Sequence, residues 1–540
     1  MNNSKKVVKG RQRTTGRGGK NKIRDVKNPS KTTDCNREGM RPSEYDGKGY
    51  NDWTWYAKNE QQLRGSASYS YNSPLGTPMP WADLLEGVDV SSISGRAVAG
   101  HEVFRFVPGI GRSSNATSPA NLAAQNIYSY VRYMNSGAKN YDPADLMLYL
   151  LTMDNIYMMW NWMKRIYGYL NVYSAYNRYY PRVFAISDRV DFDDLIGNLA
   201  DFRLFLNQSA ARISSYCVPG VMPLFLRHSW MVSNIYKDTA SNKSQTYMYS
   251  PAGYLVYEET TSKFGGQLVY NAIYDETAPK VLKFGDLVSI MNTMLNAVAY
   301  SEDIGVMSGD ILKAYGQDKL FKISPVEAEY TVLPVYNEEV LNQLHNMTIV
   351  GYLSKQDYVR YNITQNPNSG FLVYEPRAPK WSGVKPSAKW IINMPWDDVS
   401  PADTMVATRL MVMTNTDTVD PLTHAVHSCG SEIIIRAQIY TMVDGVPRLS
   451  ATLDSSYLTS ANTAAGVIED AGIIGQTSSF NWHPPMIMIT NRAATGDPDY
   501  AVDAVFCQFN NWAIIDRDNL AEMHTTALLS EFNVPQIGSF

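Results

Sequence analysis

The feature that most limits what this chain can fold into is the division of its charge. Its first 41 residues hold thirteen cations, Lys5, Lys6, Lys9, Arg11, Arg13, Arg17, Lys20, Lys22, Arg24, Lys27, Lys31, Arg37 and Arg41. Only Asp25, Asp34 and Glu38 oppose them, so the leader carries +10. The whole chain, with 48 basic and 52 acidic residues, stands at −4, which leaves −14 on residues 42–540. A short cationic leader on an acidic body points to a polyanionic partner for the leader alone.

Before Cys35 the leader's large aliphatic side chains are Val7, Val8, Ile23 and Val26, spaced neither as a helix nor as a strand. Such a segment buries too little apolar surface to offset the entropy of ordering, so residues 1–45 are expected to form a disordered arm. Each Lys or Arg that meets a phosphate releases a condensed counterion, giving affinity that ignores base sequence and weakens with salt. No aromatic residue precedes Tyr45, so the arm has no ring on which to stack a base. A nuclear localisation signal, a contact with anionic lipid and a solubility tag are the competing readings of the same charge. No apolar run follows the first charges, which argues against a secretory signal, and no amphipathic face supports a mitochondrial one.

The body has room for two or three domains. It contains no run of about 18 apolar residues, so no membrane-spanning helix is expected. Cys35, Cys217, Cys429 and Cys507 are widely spaced and form no CxxC pair, as suits a chain kept reduced in a cytoplasm. Thirty-six tyrosines and eleven tryptophans supply large rings with a polar handle, the side chains that favour protein–protein contact.

Residues 46–80, rich in Gly, Ser, Pro and Tyr, read as an extended connector that docks through Trp53, Trp55 and Tyr56. Entry to the first compact domain is placed at Met79–Leu85. The best-specified helix opens at Asp142-Pro143-Ala144-Asp145, with Asp142 as N-cap and Pro143 in the first turn. Leu146, Leu150, Met153, Tyr157 and Trp160 then mark one buried face. Helix is also expected over 191–208, 284–300, 336–346 and 517–530. Strands are expected at 254–257, 267–270, 485–490 and 501–509. Ile433 to Val443 alternate as a strand, with Asp444-Gly445 as a hairpin turn.

Catalytic signatures are missing: there is no Walker loop, HExxH or GxSxG, and no cofactor is implied. Gly109-Ile110-Gly111-Arg112-Ser113-Ser114 is a broken dinucleotide fingerprint lacking its last glycine. His424, His427 and Cys429 lack an obvious fourth zinc ligand. Asp191, Asp193 and Asp194 suit a helix start better than a two-metal site. Glu258 and Glu259 are adjacent and so point to opposite faces of a strand. His228 and His483 read as core histidines. No enzyme is expected.

An acidic, ring-rich body with a cationic arm is what a nucleic-acid container needs. About 100 copies with arms of +10 would bring on the order of 1,000 charges to a kilobase-scale RNA. The leader, MPWADLLEGVDV at 79–90 and the stretch from Phe104 to Leu151 resemble picobirnavirus capsid proteins. That resemblance implies an α+β subunit: a predominantly α-helical shell domain and a mixed, loop-rich, β-containing projecting domain. It also implies dimers that build a closed icosahedral shell, exchange of terminal segments between dimer partners, packaged double-stranded RNA and an enclosed viral polymerase. The leader's cations carry over as candidate RNA contacts. From the change in texture, the shell is expected over 81–240, the projection over 241–511, and a return to the shell over 512–540. Transient contact with a host membrane during entry belongs to the same expectation. The rival readings are a polysaccharide- or nucleic-acid-acting hydrolase with a basic tail, and a monomeric host RNA-binding protein.

Overall fold

The computed structural model describes residues 53–71, 73, 100–136, 141–172, 178–241, 243–260, 265–274, 280–381, 388–415, 420, 422–443, 446–459, 464–491 and 500–533. The chain divides into two units, Met1–Tyr71 and Asn72–Phe540.

In the first unit, the stretch expected to be extended contains a 3-10 turn, Trp53–Asn59, running into a helix, Glu60–Ala67. The reason is local. The Asn59 side chain accepts the Gln62 N–H at 3.1 Å as an N-cap, and Glu60 pairs with Arg64 one turn on at 2.6 Å. Both devices stabilise a helix without tertiary help. Aromatic content and nearby glycines hide that start signal.

The second unit mixes helix and strand, an α+β fold as expected. Its centre is the strand His101–Pro108, buried along its whole length. It lies inside a five-stranded sheet whose spatial order is Val446–Leu453, Glu432–Val443, His101–Pro108, Thr246–Pro251, Tyr236–Lys237. His101–Pro108 runs antiparallel to Glu432–Val443, with a register shift between Arg105 and Phe106, and parallel to Thr246–Pro251. Asp444 and Gly445 of the expected turn lie outside the described residues, but Val443 and Val446 on either side pair antiparallel. The sequence does not mark the central strand, because His101, Glu102 and Arg105 look like surface residues. In the fold all three are buried.

The long helix Pro143–Leu170 starts where the cap signal puts it. Asp142 is extended, with φ −95° and ψ 166°, and its N–H donates to the Asp145 carboxylate at 3.0 Å. The expectation of one buried face falls short, since Leu148, Met158, Met159 and Trp162 are buried as well. The paired strands Gly253–Glu259 and Gly266–Ala272 cover one side, and the helices Pro119–Met134, Leu199–Ile213, Leu224–Ser233 and Phe284–Ala299 take the others. A helix apolar all round is what an enclosed position demands. The helix expected over 191–208 is two, Phe192–Gly197 and Leu199–Ile213, broken at Asn198.

One apolar cluster runs from Val103 to Phe532. The sheet therefore draws strands from both the 81–240 and 241–511 segments into one core. The last helix, Arg517–Glu531, packs on Pro119–Met134 and on the strand Thr423–Ser428. Among the described residues no helix is long and apolar enough to cross a membrane.

Gly168 shows how tightly the long helix is enclosed. A Cβ there would lie 2.6 Å from Val332 and 2.8 Å from Tyr330. Gly168→Val should cost about 1–3 kcal/mol by overpacking, whereas Gly197→Ala, with nothing within 4 Å of its added methyl, should cost nothing. Urea unfolding midpoints of the two variants check this, and equal midpoints would contradict the packing.

Candidate functional site

The thirteen leader cations, Lys5 through Arg41, lie outside the described residues. The other candidate groups can be placed one by one. Asp191 accepts the backbone N–H of Asp193 and of Asp194, each at 3.1 Å, as a helix cap. Asp194 accepts the Phe284 N–H at 2.8 Å, and Asp193 meets the exposed Arg182. These carboxylates are occupied with helix starts. Glu258 and Glu259 close an exposed strand end, with Glu258 opposite Gln267. On the strand Thr423–Ser428, His424 packs near Trp381 at 6.1 Å and His427 lies 3.4 Å from Asp518. Among the described residues no three His, Cys, Asp or Glu side chains gather as a metal site. The glycine loop is closed by packing: Gly111, at φ +70°, would drive a Cβ into the Leu528 side chain of the last helix. Cys217, Cys429 and Cys507 are unbridged.

The structure does assemble a charged centre that sequence reasoning misses. Arg227 donates to both oxygens of Glu432, from Nε at 2.7 Å and Nη2 at 3.0 Å. The Ser431 hydroxyl lies 2.8 Å from a carboxylate oxygen of Glu432 and of Glu531. Arg409 pairs with Glu531. His228 meets Asp154 through Nδ1, and its Nε2 is 3.4 Å from Glu432. Three cations and three carboxylates from five separate segments, Arg227 and His228 being neighbours on one helix, thus balance inside the protein. His228 is a core histidine, as expected; its place in an ion cluster is the new element.

The titration directions follow from these partners. Burial by itself would lower His228, but the Asp154 charge and hydrogen bonds to Asp154 and Glu432 lift it to about 10. Burial raises Asp154 against the opposing pull of His228. Both shifts keep a proton within the pair. Burial would also raise Glu432, yet Arg227 and His228 hold it well below the usual range. The His228 contribution is therefore complete below about pH 6.5 and lost as pH rises through about 10. The Glu432 contribution is present above about 4.5 and lost as pH falls through its depressed value. Removing one member of such a buried pair strands its partner's charge.

A second centre sits against the central strand. Arg165 donates from Nη2 to both oxygens of Asp188 at 3.1 and 3.2 Å, and both side chains are fully buried. Asp188 also accepts Trp162 Nε1 at 3.0 Å and Ser250 Oγ at 2.7 Å. Arg105 donates to Ser250 at 2.7 Å and to Gln438 at 3.2 Å, and its guanidinium lies 4.5 Å over Tyr274. These bonds fix the sheet to the long helix.

The surface carries apolar groups that a solitary soluble protein would be expected to cover. The strand Asn511–Asp516 pairs only with Lys389–Met394 among the described residues. Trp512 and Ile514 share one face of this ribbon, 58% and 53% exposed, with Ile391 opposite Ile514. Val502, Val505 and Phe509 are exposed just before them. Large apolar side chains left this exposed on one ribbon face suit contact with another macromolecule. A Trp and an Ile alternating at positions 512 and 514 are the available sequence signal, but alternation alone does not say which face is inward.

Glu102 gives a pH test of the core. Neither carboxylate oxygen has a hydrogen-bond partner among the described residues, and burial raises its pKa to about 8 from 4.5. The folded carboxyl stays protonated at neutral pH while the unfolded one ionises. Its contribution is therefore complete below about pH 4.5 and is lost as pH rises through about 8. Glu102→Gln removes that loss. It should stabilise by about 3 kcal/mol at pH 7, with little change near pH 4, as read by Tm across pH. A gain of equal size at pH 4 would show that ionisation of the buried carboxyl is not the cause.

Comparison with known proteins agrees with this picture of a subunit built for packing. The sequence model of the picobirnavirus capsid protein family matches residues 55–444. A capsid protein precursor of human picobirnavirus is 30% identical over 525 residues, covering 90% of this chain and 92% of its own length. The X-ray structure of the picobirnavirus capsid superposes with a TM-score of 0.77 at 24% identity, covering 89% of this chain and 98% of that one. At that identity the likeness speaks to the fold.

Proposed function

The chain belongs to the picobirnavirus capsid protein family, and on that premise we propose that it builds the shell as dimers and packages double-stranded RNA through its basic leader. As a capsid protein it is a structural component of the virion that associates with copies of itself. The observation that carries the packaging reading is the charge division: +10 in the first 41 residues against −14 in the rest. Lys5, Lys6, Lys9, Arg11, Arg13, Arg17, Lys20, Lys22, Arg24, Lys27, Lys31, Arg37 and Arg41 neutralise phosphates on the inner side without choosing a base sequence.

The wall in this reading is formed by 81–240 with 512–540, and the outward projection lies within 241–511. Assembly takes place in the host cytoplasm. The viral polymerase rides inside, and terminal segments make transient contact with a host membrane during entry. The ribbon bearing Trp512 and Ile514 is the face offered to a second copy. Support comes from its exposed rings and aliphatics, from an unpaired strand edge among the described residues, and from membership of a family that closes shells. The hydrolase reading has no observation in its favour, since its carboxylates are capping groups or a strand end.

Two experiments separate the parts of this proposal. Expressed without residues 1–41, the chain should still close into particles, visible by electron microscopy, that hold less than about a tenth of the RNA of the full chain. Full RNA content would remove the leader from packaging. Trp512→Ser with Ile514→Ser should leave a folded chain that sediments mainly as small species, and unchanged particle yield would place the contact elsewhere.

A further inference from the structure

A cavity of about 580 Å³ opens where the loop 351–358, the segment from Pro379 to Trp381, the strand end at Thr452, residues 454–459 and the helix Ala464–Thr477 meet. Its volume falls in the roughly 300–1,000 Å³ range of small-ligand sites. Nothing in the packaging or assembly reading uses it.

Aromatic rings form its walls, and each wall is fixed from behind. Trp381 and Tyr457 pack at 4.6 Å between centroids with planes 47° apart, and Trp390 braces Tyr457 at 5.5 Å. On another side the Arg436 guanidinium lies 4.2 Å over Tyr352 and is itself ion-paired to Asp454. Rings held in this way lose little freedom when a ligand arrives. Hydroxyls of Thr452, Ser455 and Thr459 and the carboxylate of Glu469 also line the space.

This chemistry selects among ligand classes. Among the described lining residues Asp454 is balanced by Arg436, and Glu469 and Asp470 still outnumber Lys355, so phosphate and acidic sugars are disfavoured. Lys355 also works against a compact cation. Flat rings suit the C–H faces of a pyranose, while the lining hydroxyls and carboxylate match sugar hydroxyls as donors and acceptors. We propose that this cavity binds the end of a neutral oligosaccharide. The site goes beyond the shell reading, and its exposure on the particle exterior rests on that reading's outward placement of residues 241–511.

Full-length chain, both assembled and unassembled, is tested on an array of neutral and sialylated glycans, with choline-bearing beads as the cation probe. The expected result is binding to a class of neutral glycans, weaker for their sialylated forms. Trp381→Ala should cut it at least tenfold and Glu469→Gln severalfold. Should Trp381→Ala unfold the wall, Glu469→Gln, at the exposed rim, keeps the test valid without it. No neutral glycan bound, undiminished binding by Glu469→Gln, or capture by choline instead would each overturn the proposal. Binding by the unassembled chain alone would uphold the site and refute the outward placement.

Discussion

The bidentate pair between Arg227 and Glu432 is the interaction on which the rest of this structure depends. Glu432 begins the strand that flanks the central one, Arg227 lies on a helix against the long helix, and Glu531 and Arg409 extend the pair to the last helix. A buried ion cluster of this kind adds little net stability over a well-packed apolar one, because desolvation offsets most of the attraction. It does penalise misregister heavily, since a slipped strand would leave a charge buried alone. The second cluster, around Arg165 and Asp188, imposes the same discipline between sheet and helix. A subunit that must repeat one shape throughout a wall gains from such penalties more than from extra stability.

Local signals are legible in the sequence wherever the neighbouring residues decide the structure. Asp142 with Pro143, Asp191 before Leu195, and the alternation from Ile433 to Val443 all correspond to real starts and strands. The last helix spans Arg517–Glu531, against the expected 517–530. What depends on distant partners is not legible. His101, Glu102 and Arg105 signal exposure until strands from residues 246–251 and 432–443 close over them. The charged cluster unites positions 154, 227, 228, 409, 432 and 531, and no spacing rule connects them. Trp53–Ala67 errs the other way: ring-rich composition masks a helix with a local cap.

Interior and surface divide the work of such a protein. The interior is closed: glycines at 109, 111 and 168 admit neighbouring side chains closer than a Cβ would allow. The surface, by contrast, keeps rings and aliphatics in solvent at 502–514 and an aromatic cavity near Trp381. The uneven charge of the sequence adds a third region, the leader; in the packaging proposal its hold on phosphate would fall with salt while apolar contact would not. Wall and cargo contacts would thus respond to different solution conditions.

The position of Glu531 has a consequence for biosynthesis. A polypeptide still emerging from the ribosome has Arg227, Arg409 and Glu432 in place long before this carboxylate is made. Until residue 531 leaves the exit tunnel, Arg409 lacks its counterion and the final helix cannot seal the glycine loop with Leu528. The core therefore completes its charge balance only once residue 531 is made, and a chain cut short before it would leave Arg409 buried without this partner.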